Sequence, residues 1–424
     1  MITILSLLIL ALVLLGLVLA LVQQVRHMRH SQDRAKLETQ LLEQQVANLI
    51  KQPVTALNAQ LQWSGWRKFK VDRIERENDT IKSFYLRPHD GKALPTFLPG
   101  QHLTFRLKIP GQSRPVVRCY SLSDSASETS YYRVSIRRQG APVSSVDAPN
   151  GLSSCFFHDE LNEADILDVK APSGKFYLET EERGPIALVG GGIGITPSLS
   201  MLNSLHQMQS ERPIFLFFAA RDAADLIMLE HFIRLEKEMP KLQIHYILSD
   251  GDEELSDVGI PSEHVHKGFL SADLMFTLMS PVVNPLEADF YVCGPPPMMD
   301  AIVGGLGDKN IDSQRIHFES FGPASVNSNK VAKQASDNGE VRKVSFRLSN
   351  KDIEWNSSKG TLLEAAEEAG VVMDSGCRSG SCGTCLTAIL NGDVEYIEEP
   401  DGEVERGSCL PCIAIPKKNL ILNA

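Results

Sequence analysis

The sequence predicts a multidomain chain. An N-terminal transmembrane helix is followed by an antiparallel β-barrel, an α/β domain with a parallel sheet, and a small α+β domain. Three observations predict this order. Residues 2–22 are an uncharged apolar run, the central region changes from short strands to strands alternating with helices, and three cysteines cluster near the C-terminus. A length of 424 residues with 43% hydrophobic and 22% charged residues is typical of a globular protein of several domains.

Charge and cysteine content exclude some classes of protein. A net charge of −11 argues against nucleic acid as a partner, because neutralising phosphates requires a basic surface. Eight cysteines in 424 residues are too few for a disulfide scaffold. A polytopic membrane protein is excluded as well, since only one segment is apolar enough to span a bilayer.

The N-terminal run predicts a membrane anchor over residues 1–23. A helix of residues 2–22, rising about 1.5 Å per residue, matches a hydrocarbon core of about 30 Å. A cleaved signal peptide would have a charged start, a shorter apolar core and a small-residue cleavage site, and none is clear. The basic residues lie after the span, between 26 and 36, so the positive-inside rule predicts a single-pass protein of the inner (cytoplasmic) membrane with its body in the cytoplasm.

Residues 24–62 are predicted to form a juxtamembrane helical stalk. From Ser31 to Gln52, aliphatic residues recur at three- and four-residue spacing, and Pro53 ends the pattern. Two interpretations stay open. Residues 31–52 could dimerise weakly as a short coiled coil, or the stalk could lie against the membrane or the body. The shortness of the repeat favours the second.

The body divides by its pattern of strands. Residues 63–182 contain short alternating strands at 102–109, 131–138 and 165–171, separated by Pro- and Gly-rich turns, which predicts a β-barrel. In residues 183–322, strands at 186–190, 214–221, 243–249 and 288–294 alternate with helical stretches, one of them over 226–239, which predicts a parallel sheet. Residues 323–340 are polar and aperiodic, as in a linker, and 341–424 form a last small domain.

The cysteine cluster predicts an iron–sulfur site. Cys377, Cys382 and Cys385 have C-x4-C-x2-C spacing, the plant-type pattern for a 2Fe-2S cluster. The fourth thiolate must come from Cys409 or Cys412. A zinc site would need paired C-x2-C motifs or histidines, and residues 341–424 contain no histidine.

The flanking sequence resembles plant-type ferredoxins. A helix is predicted over 361–370 and strands over 341–348 and 386–390, and the resemblance implies a β-grasp fold. In those ferredoxins a short strand and a proline follow the last ligand. The resemblance therefore implies Cys412 as the fourth ligand, with Cys409 at a position that is usually apolar. The acidic tract over 395–405 could steer a basic partner or be an ordinary solvated loop.

A second resemblance begins at Arg118-Cys119-Tyr120-Ser121, and it is to the ferredoxin–NADP reductase superfamily. It implies that Arg118 meets the pyrophosphate of FAD, Tyr120 packs on the isoalloxazine, and Ser121 hydrogen-bonds near N5. A guanidinium fork suits phosphate oxygens. Taken alone, the motif could be an ordinary Arg–Tyr strand pair. The resemblance implies further flavin contacts at Ser135, Ile136, Gly151, Leu152, Ser153 and Ser154, the last four as a backbone N–H nest with a hydroxyl.

The segment L-V-G-G-G-I-G-I-T-P, residues 188–197, follows a strand and opens a helix, as phosphate-binding turns do. It departs from G-x-G-x-x-G because Ile195 occupies the third glycine position. The resemblance places the loop near the nicotinamide and pyrophosphate of NADH or NADPH, with Thr196 capping the helix. A tight turn without a ligand is the alternative. The implied contacts are Gly191, Gly192, Gly194 and Thr196.

Two further motifs complete the predicted site. Cys293-Gly294-Pro295 begins the C-G-P-x-x-M pattern, which in the family puts the cysteine beside the site of hydride transfer; a buried structural cysteine is the alternative. Glu319 and Phe321 would touch the flavin or nicotinamide, although core packing explains Phe321 nearly as well. The predicted catalytic residues are Ser121, Cys293 and Glu319, and the further cofactor contacts are Gly294, Pro295, Phe321 and Arg221.

The domain order resembles that of oxygenase reductases with a C-terminal ferredoxin domain. It implies a reductase that passes single electrons from NAD(P)H through FAD and a 2Fe-2S cluster to an unidentified acceptor protein, such as an oxygenase, a hydroxylase or desaturase, a cytochrome or a hybrid-cluster protein. The predicted anchor departs from the usual soluble members, so we expect a membrane-anchored reductase whose acceptor the resemblance does not identify. Arg221 could pair a 2′-phosphate, but NADH enzymes carry a similar arginine, so the choice of NADH or NADPH stays open. Direct reduction of a quinone or small molecule, and a non-catalytic membrane redox sensor, are the alternatives.

Overall fold

The computed structural model describes residues 61–112, 115–140, 150–180, 184–250, 255–320, 341–375, 378, 380, 383–397, 400 and 404–424. Residues Trp63–Ala424 form one compact unit. The predicted anchor, the stalk up to residue 60, the linker and Phe321 lie outside the described residues. Within the described ranges, no helix combines the length and apolarity needed to cross a membrane.

The first sheet is antiparallel and closes on itself. Its strand order is β4-β3-β6-β1-β2-β5, and a bridge between Leu122 and Val134 joins the two outer strands. Phenylalanines such as Phe69, Phe84 and Phe105 fill its interior and are fully buried. The predicted β-barrel is confirmed. Its strands are β1 (Arg67–Arg76), β2 (Ile81–Pro88), β3 (His102–Leu107), β4 (Val116–Ser121), β5 (Tyr132–Arg137) and β6 (Ile166–Val169).

A short helix, α1 (Leu152–Cys155), lies between β5 and β6 and continues directly into a π-helical turn over Phe156–Glu160. The turn buries Phe157 completely, in edge-on contact with Phe84 and Phe105 of the barrel core. This aromatic contact attaches α1, and with it the predicted Gly151–Ser154 motif, to the barrel.

The second sheet is parallel throughout, with the order β10-β9-β8-β7-β11-β12. Apolar clusters cover both of its faces, which explains why its strands read as continuous hydrophobic runs. The strand order reverses between β7 and β11, and ligands of such sheets bind at that switch point, beyond the carboxyl ends of the strands. The elements are β7 (Ile186–Gly191), α2 (Ile195–Gln207), β8 (Ile214–Ala220), α3 (Leu229–Glu238), β9 (Leu242–Leu248), β10 (Val265–Lys267), α4 (Ala272–Met279), β11 (Asp289–Gly294), α5 (Pro296–Asp308) and β12 (Ile316–Ser320).

The helix predicted over 226–239 begins later than the sequence pattern suggests. Met228 has φ 55°, a left-handed conformation that interrupts the helix, and α3 starts at Leu229. Leu226 and Ile227 are buried in the core ahead of that point. Their apolar side chains thus serve the core from a non-helical segment, which periodicity alone does not distinguish from the first turn of a helix.

The last segment has the expected α+β architecture. A five-stranded sheet has the order β14-β13-β19-β15-β17, and β16 pairs with β18 in a small separate sheet. Thr361 and Glu364 form a capping box at the start of the helix, which fixes where it begins. The elements are β13 (Arg342–Phe346), β14 (Lys351–Trp355), α6 (Leu362–Glu368), β15 (Thr387–Asn391), β16 (Val394–Tyr396), β17 (Ser408–Cys409), β18 (Ala414–Pro416) and β19 (Leu420–Leu422).

Candidate redox sites

Ser121, at the end of β4, carries the clearest sign of a ligand site. It is 5% exposed, and its hydroxyl has no hydrogen-bond partner among the described residues. A buried polar group without a partner costs on the order of 1–3 kcal/mol, so native proteins rarely leave one unpaired. A flavin nitrogen at this position would supply the missing partner, and the residue therefore fits the predicted cofactor.

Tyr120 joins two motifs that the sequence predicted separately. Its hydroxyl hydrogen-bonds to the Ser153 hydroxyl of α1, and its ring packs edge-on against Phe105 and Phe157, with centroids 5.8 and 5.2 Å away. Burial raises the pKa of Tyr120 to about 12. The phenol is therefore neutral at physiological pH and offers an aromatic face without a charge.

The turn before α1 is tightly built around a glycine. The Ser154 hydroxyl donates to the Gly151 carbonyl at 3.1 Å and accepts from the Gln139 backbone N–H at 3.1 Å. A Cβ on Gly151 would lie 2.7 Å from both the Ser154 Oγ and the Gln139 Cβ, so a side chain does not fit there. Leu152, which follows this turn, is 40% exposed.

Arg118 lies on β4, and its guanidinium is half-buried. It donates a hydrogen bond to the Val117 carbonyl at 2.7 Å.

Ser135 and Ile136 are both buried but lie on opposite faces of β5, with Ile136 in the barrel core. The Ser135 hydroxyl bonds the hydroxyls of Ser83 and Ser123 at 2.7 and 3.0 Å. The Ile136 side chain is 1% exposed, and its carbonyl oxygen lies 2.8 Å from His158 Nε2. Because both side chains already have partners in the barrel, a flavin contact by this pair would have to use backbone atoms.

The glycine loop lies at the switch point of the parallel sheet. A Cβ on Gly194 would lie 2.5 Å from the Cys293 carbonyl oxygen, and one on Gly294 would lie 2.3 Å from Met298 Cε. A Cβ on Gly191 would lie 2.7 Å from both Pro295 Cδ and Met298 Sδ. The glycines therefore let the ends of β7 and β11 approach closely, whatever else they bind.

The prediction that Thr196 caps α2 is wrong. The N-cap is Gly194, which makes no side-chain capping bond, and Thr196 lies within the first turn. The Thr196 hydroxyl donates back to the Ile193 carbonyl at 3.0 Å. The hydroxyl thus satisfies a carbonyl of the preceding 3-10 turn and does not accept from the free N–H groups of the helix start, which leaves those groups to other partners.

Cys293 and Glu319 face each other as register partners on the adjacent strands β11 and β12. Burial raises the pKa of the Cys293 thiol well above its usual value, and the Glu319 carboxylate adds to the rise, so the thiol stays protonated. Glu319 Oε2 is buried without a hydrogen-bond partner in the described part of the chain, and Oε1 lies 3.6 Å from His102 Nδ1. His102 is the register partner of Ser121. The three predicted catalytic residues therefore belong to one neighbourhood, linked by a histidine that the sequence analysis treated only as part of a strand.

Sequence reasoning also missed the contact between the barrel and α2. Ser200 Oγ donates to the Asp124 carbonyl at 2.7 Å, and Asn203 Nδ2 donates to Asp124 Oδ1 at 3.0 Å. The Ala126 N–H donates to Ser204 Oγ at 2.9 Å. These polar side chains lie along one helix next to the glycine loop. Their hydrogen bonds attach the barrel segment 124–126 to α2, close to the place where the cofactors would meet.

Arg221 immediately follows β8, which ends at Ala220, and 61% of its side chain is exposed. Its Nε donates to Asp222 Oδ2 at 3.1 Å, and its Nη2 lies 3.8 Å from Asp225 Oδ2. Asp225 is also paired with Arg137 at 3.0 Å. The arginine predicted to meet the nucleotide is therefore flanked by two carboxylates, and the choice between NADH and NADPH stays open.

Two of the predicted cluster ligands come together. Cys385 Sγ lies 3.2 Å from Cys412 Sγ, and both residues are buried. Thiolates this close can bind one tetrahedral metal ion, so the pair fits a 2Fe-2S cluster. Cys377 and Cys382 lie outside the described residues. Among those that are described, no three His, Cys, Asp or Glu side chains are placed to hold a metal.

Cys409, the other candidate, is fully buried on β17, where it pairs with Thr387 of β15. Burial raises the pKa of its thiol to about 12, and proximity to Cys385 adds to the rise. A protonated, buried thiol behaves as a small apolar side chain, as the resemblance implied for this position. The assignment of Cys412 as fourth ligand stays a prediction.

Three protein families match successive parts of the chain. The oxidoreductase FAD-binding domain matches residues 68–177, the oxidoreductase NAD-binding domain 188–304, and the 2Fe-2S iron-sulfur cluster binding domain 347–417. The chain therefore combines an oxidoreductase FAD-binding domain, an oxidoreductase NAD-binding domain and a 2Fe-2S cluster binding domain. Its cofactors are FAD, a 2Fe-2S cluster and NADH or NADPH.

Curated relatives match about three fifths of the chain. A flavohemoprotein from Halalkalibacterium halodurans is 36% identical over 262 residues, which is 62% of this chain and 61% of the relative. One from Bordetella pertussis is 36% identical over 266 residues, 62% of each. The chain thus spans about three fifths of the length of the curated relatives that it matches.

Solved structures extend the likeness over more of the chain. The FAD/NAD-binding domain of nitric oxide dioxygenase from Vibrio cholerae O1 biovar El Tor aligns with a TM-score of 0.53 at 28% identity, covering 61% of this chain and all (100%) of that one. Phthalate dioxygenase reductase, described as a modular structure for electron transfer from pyridine nucleotides to [2Fe-2S], aligns with a TM-score of 0.50 at 26% identity. That alignment covers 85% of this chain and 98% of the reductase, so it reaches beyond the flavin and nicotinamide parts.

Proposed function

We propose that the protein is a membrane-anchored reductase that carries electrons from NAD(P)H through FAD and a 2Fe-2S cluster to an acceptor protein. Two observations in one chain carry this proposal. Ser121 Oγ and Glu319 Oε2 are buried without a hydrogen-bond partner among the described residues, and the thiols of Cys385 and Cys412 form a separate close pair. When bound, FAD accepts a hydride from the nicotinamide and passes electrons on singly, and the cluster accepts them one at a time.

The residues of the barrel would bind and orient the flavin. Arg118 would place its guanidinium against the pyrophosphate, beside the glycine turn that precedes α1. Tyr120, neutral because of its raised pKa, would pack against the ring system without adding a charge. Ser121 would donate its free hydroxyl proton to a ring nitrogen, and the bond would be made only with the cofactor in place.

The residues of the parallel sheet would hold the nicotinamide against that ring. The glycine loop keeps β7 and β11 close, so the dinucleotide can reach the switch point and the free N–H groups at the start of α2. Cys293, fully buried and protonated, would pack against the nicotinamide and help to exclude water. The bonds from Asp124 and Ala126 to α2 would keep both cofactors in a fixed relation, which hydride transfer requires.

The acceptor is proposed to be a protein. The likeness to phthalate dioxygenase reductase, at 26% identity over 85% of this chain, supports an oxygenase-type acceptor of electrons from the cluster. Hydroxylases, desaturases, cytochromes and hybrid-cluster proteins have the same one-electron requirement and remain within the proposal.

The route of the electrons can be tested with a Cys382→Ser variant that lacks the cluster and keeps its flavin. Ferricyanide takes electrons directly from flavin, so its reduction by NADH or NADPH should stay near the wild-type rate. Cytochrome c, a bulky one-electron acceptor, should lose nearly all of its reduction rate. Cys409→Ser is the matched control and should keep both rates.

If cytochrome c reduction survives loss of the cluster, electrons leave from the flavin. The protein would then be a direct reductase of a quinone or small molecule, with the iron–sulfur domain as a docking module. If neither acceptor is reduced by the wild-type protein with full cofactors, the redox-sensor interpretation replaces the proposed function.

We also propose that residues 1–23 anchor the protein in the inner membrane, with the body in the cytoplasm. The support is the uncharged run of residues 2–22 and the basic residues that follow it. Full-length protein should resist extraction from membranes by alkaline carbonate, whereas a variant lacking residues 1–30 should be released and keep ferricyanide activity. Release of the full-length protein by carbonate would overturn the anchor, and loss of flavin on truncation would overturn the separation of anchor and catalytic body.

A further inference from the structure

His102 lies at the boundary between the barrel and the parallel sheet. It is the first residue of β3 and is 3% exposed. Its backbone pairs with Ser121 on one side, and on the other it exchanges two hydrogen bonds with Ser173, both at 3.0 Å. The histidine is therefore held by its main chain between the serine predicted to meet the flavin and the segment that follows β6.

The imidazole ring spans from the barrel to the carboxylate of β12. Nδ1 lies 3.6 Å from Glu319 Oε1, and Nε2 lies 3.4 Å from Ser173 Oγ. A distance of 3.6 Å is longer than a hydrogen bond, but bonds at catalytic sites commonly tighten when the ligands arrive. Glu319 belongs to the nicotinamide part of the chain, so this contact links the two halves of the site.

A glycine lets the backbone pass close to the imidazole ring. Gly174 has φ +118°, which side chains rarely adopt, and a Cβ there would lie 2.9 Å from His102 Nδ1 and 3.0 Å from Cε1. Only glycine lets the backbone pass this close to the imidazole. The backbone at Gly174 therefore lies beside the same nitrogen, Nδ1, that faces Glu319.

The two oxygens of Glu319 have different surroundings. Oε1 lies toward His102, whereas Oε2 is buried and has no hydrogen-bond partner in the described ranges. The neighbouring Cys293 thiol is neutral and offers no charge to balance the carboxylate. The direction in which Oε2 points therefore depends on what holds Oε1.

We propose that His102 is a positioning residue for hydride transfer, which holds Glu319 through Oε1 so that Oε2 faces the flavin and nicotinamide. This inference rests on the proposed function. It assigns His102 an effect on hydride transfer that is exerted through the Glu319 side chain. In this proposal, the N–H group at Nδ1 is the one that donates to Glu319 Oε1. Nε2, on the Ser173 side, serves to keep the ring in place.

Two amide substitutions separate these functions. The amide nitrogen of His102→Asn occupies about the position of Nδ1, whereas that of His102→Gln reaches about the position of Nε2. With saturating NADH or NADPH, the rate of flavin reduction should stay within about threefold of wild type in His102→Asn and fall by about tenfold or more in His102→Gln. His102→Leu should fall at least as far. Equal rates in the Asn and Gln variants would overturn the proposal, even if the Leu variant fails to fold.

A double variant tests whether the effect passes through Glu319. Because both changes act on one interaction, His102→Leu combined with Glu319→Gln should be no slower than Glu319→Gln alone. Rate losses that multiply in the double variant would contradict the proposal, because they would show that His102 and Glu319 act independently. These measurements stop at the flavin, so a failure of the proposed route through the cluster would leave them interpretable.

Discussion

The two redox regions of the molecule are built in opposite ways. The flavin–nicotinamide region draws Ser121 and His102 from adjacent barrel strands and Cys293 and Glu319 from adjacent strands of the parallel sheet. The cysteine region instead takes its side chains, Cys385 and Cys412 among those described, from a single small domain. Within the described residues, the first region is marked by two buried oxygens without hydrogen-bond partners, and the second by two adjacent thiols, those of Cys385 and Cys412.

This difference teaches what each region depends on. The first exists only if two domains keep their relation, which explains the polar bonds between the barrel loop and α2. The second depends on spacing along the chain and on local folding. Substitutions in the first region should therefore give graded effects on rate and binding, whereas those in the second should give all-or-none loss of the cluster.

The largest effect is expected in the cysteine region. Cys412→Ser should abolish the 2Fe-2S signal in electron paramagnetic resonance of the reduced protein, because one ligand of an iron is removed. Cys409→Ser should keep the signal, since that thiol is buried on β17 and its pKa is about 12. The opposite result for the two variants would show that Cys409 is the ligand.

A smaller, graded loss is expected for Arg118→Ala. The substitution removes a charge-assisted bond to phosphate worth about 1.5–3 kcal/mol, so flavin should bind roughly ten- to a hundredfold more weakly. Flavin retained after gel filtration measures the change. Arg106→Ala, which breaks a partly exposed pair with Asp168 at 2.8 Å on a neighbouring strand, is the matched control. Full flavin retention by the Arg118 variant would show that this arginine does not bind the cofactor.

Acid should distinguish the nicotinamide region from the iron–sulfur domain. Burial lowers the pKa of His245 to about 4, and the adjacent His266 and His264 add to this, whereas residues 341–424 contain no histidine. The unfolded chain binds this proton below about pH 6.5 and the folded chain does not, so stability is full above that value and falls as pH drops toward 4.

Between pH 7 and pH 5 the loss from His245 should be roughly 1–2 kcal/mol, measured by urea unfolding of the FAD and NAD domains. His245→Phe would keep the stacked contact with Phe217, whose centroid is 5.5 Å away, and should flatten the pH dependence. An unchanged pH dependence in this variant would place the acid sensitivity elsewhere, for example at His231, whose pKa burial also lowers to about 4.

The smallest expected effects on stability come from two buried serines of the barrel. Ser135→Ala should lower the free energy of unfolding by about 1 kcal/mol, because it leaves the Ser83 and Ser123 hydroxyls short of a partner. Ser121→Ala removes a hydroxyl that has no hydrogen-bond partner in the part of the chain that the structure describes, so the thermal unfolding temperature of flavin-depleted protein should not change. The Ser121 variant should instead slow flavin reduction by NADH or NADPH. A destabilised Ser121 variant with a normal rate would reverse the roles of these serines.

The sequence by itself determined the features that depend on neighbours along the chain. The barrel strands, the alternation of β7 to β12 with helices, and the capping box at Thr361 all follow from local pattern. So does the spacing of Cys377, Cys382 and Cys385, which predicts a cluster without reference to the rest of the fold. Matches to FAD-binding, NAD-binding and 2Fe-2S families, in that order, agree with this prediction.

Only the tertiary structure decided which buried polar atoms have hydrogen-bond partners. Ser121 and Ser135 look alike in sequence, yet within the described ranges the Ser121 hydroxyl has no hydrogen-bond partner and the Ser135 hydroxyl belongs to a serine network. His102, at the start of β3, lies near Glu319 of β12, and Thr196 fails to cap α2 because its hydroxyl bonds a carbonyl of the preceding turn. A hydrogen bond depends on positions within about an ångström, and strands far apart in sequence acquire those positions only when the sheets have packed.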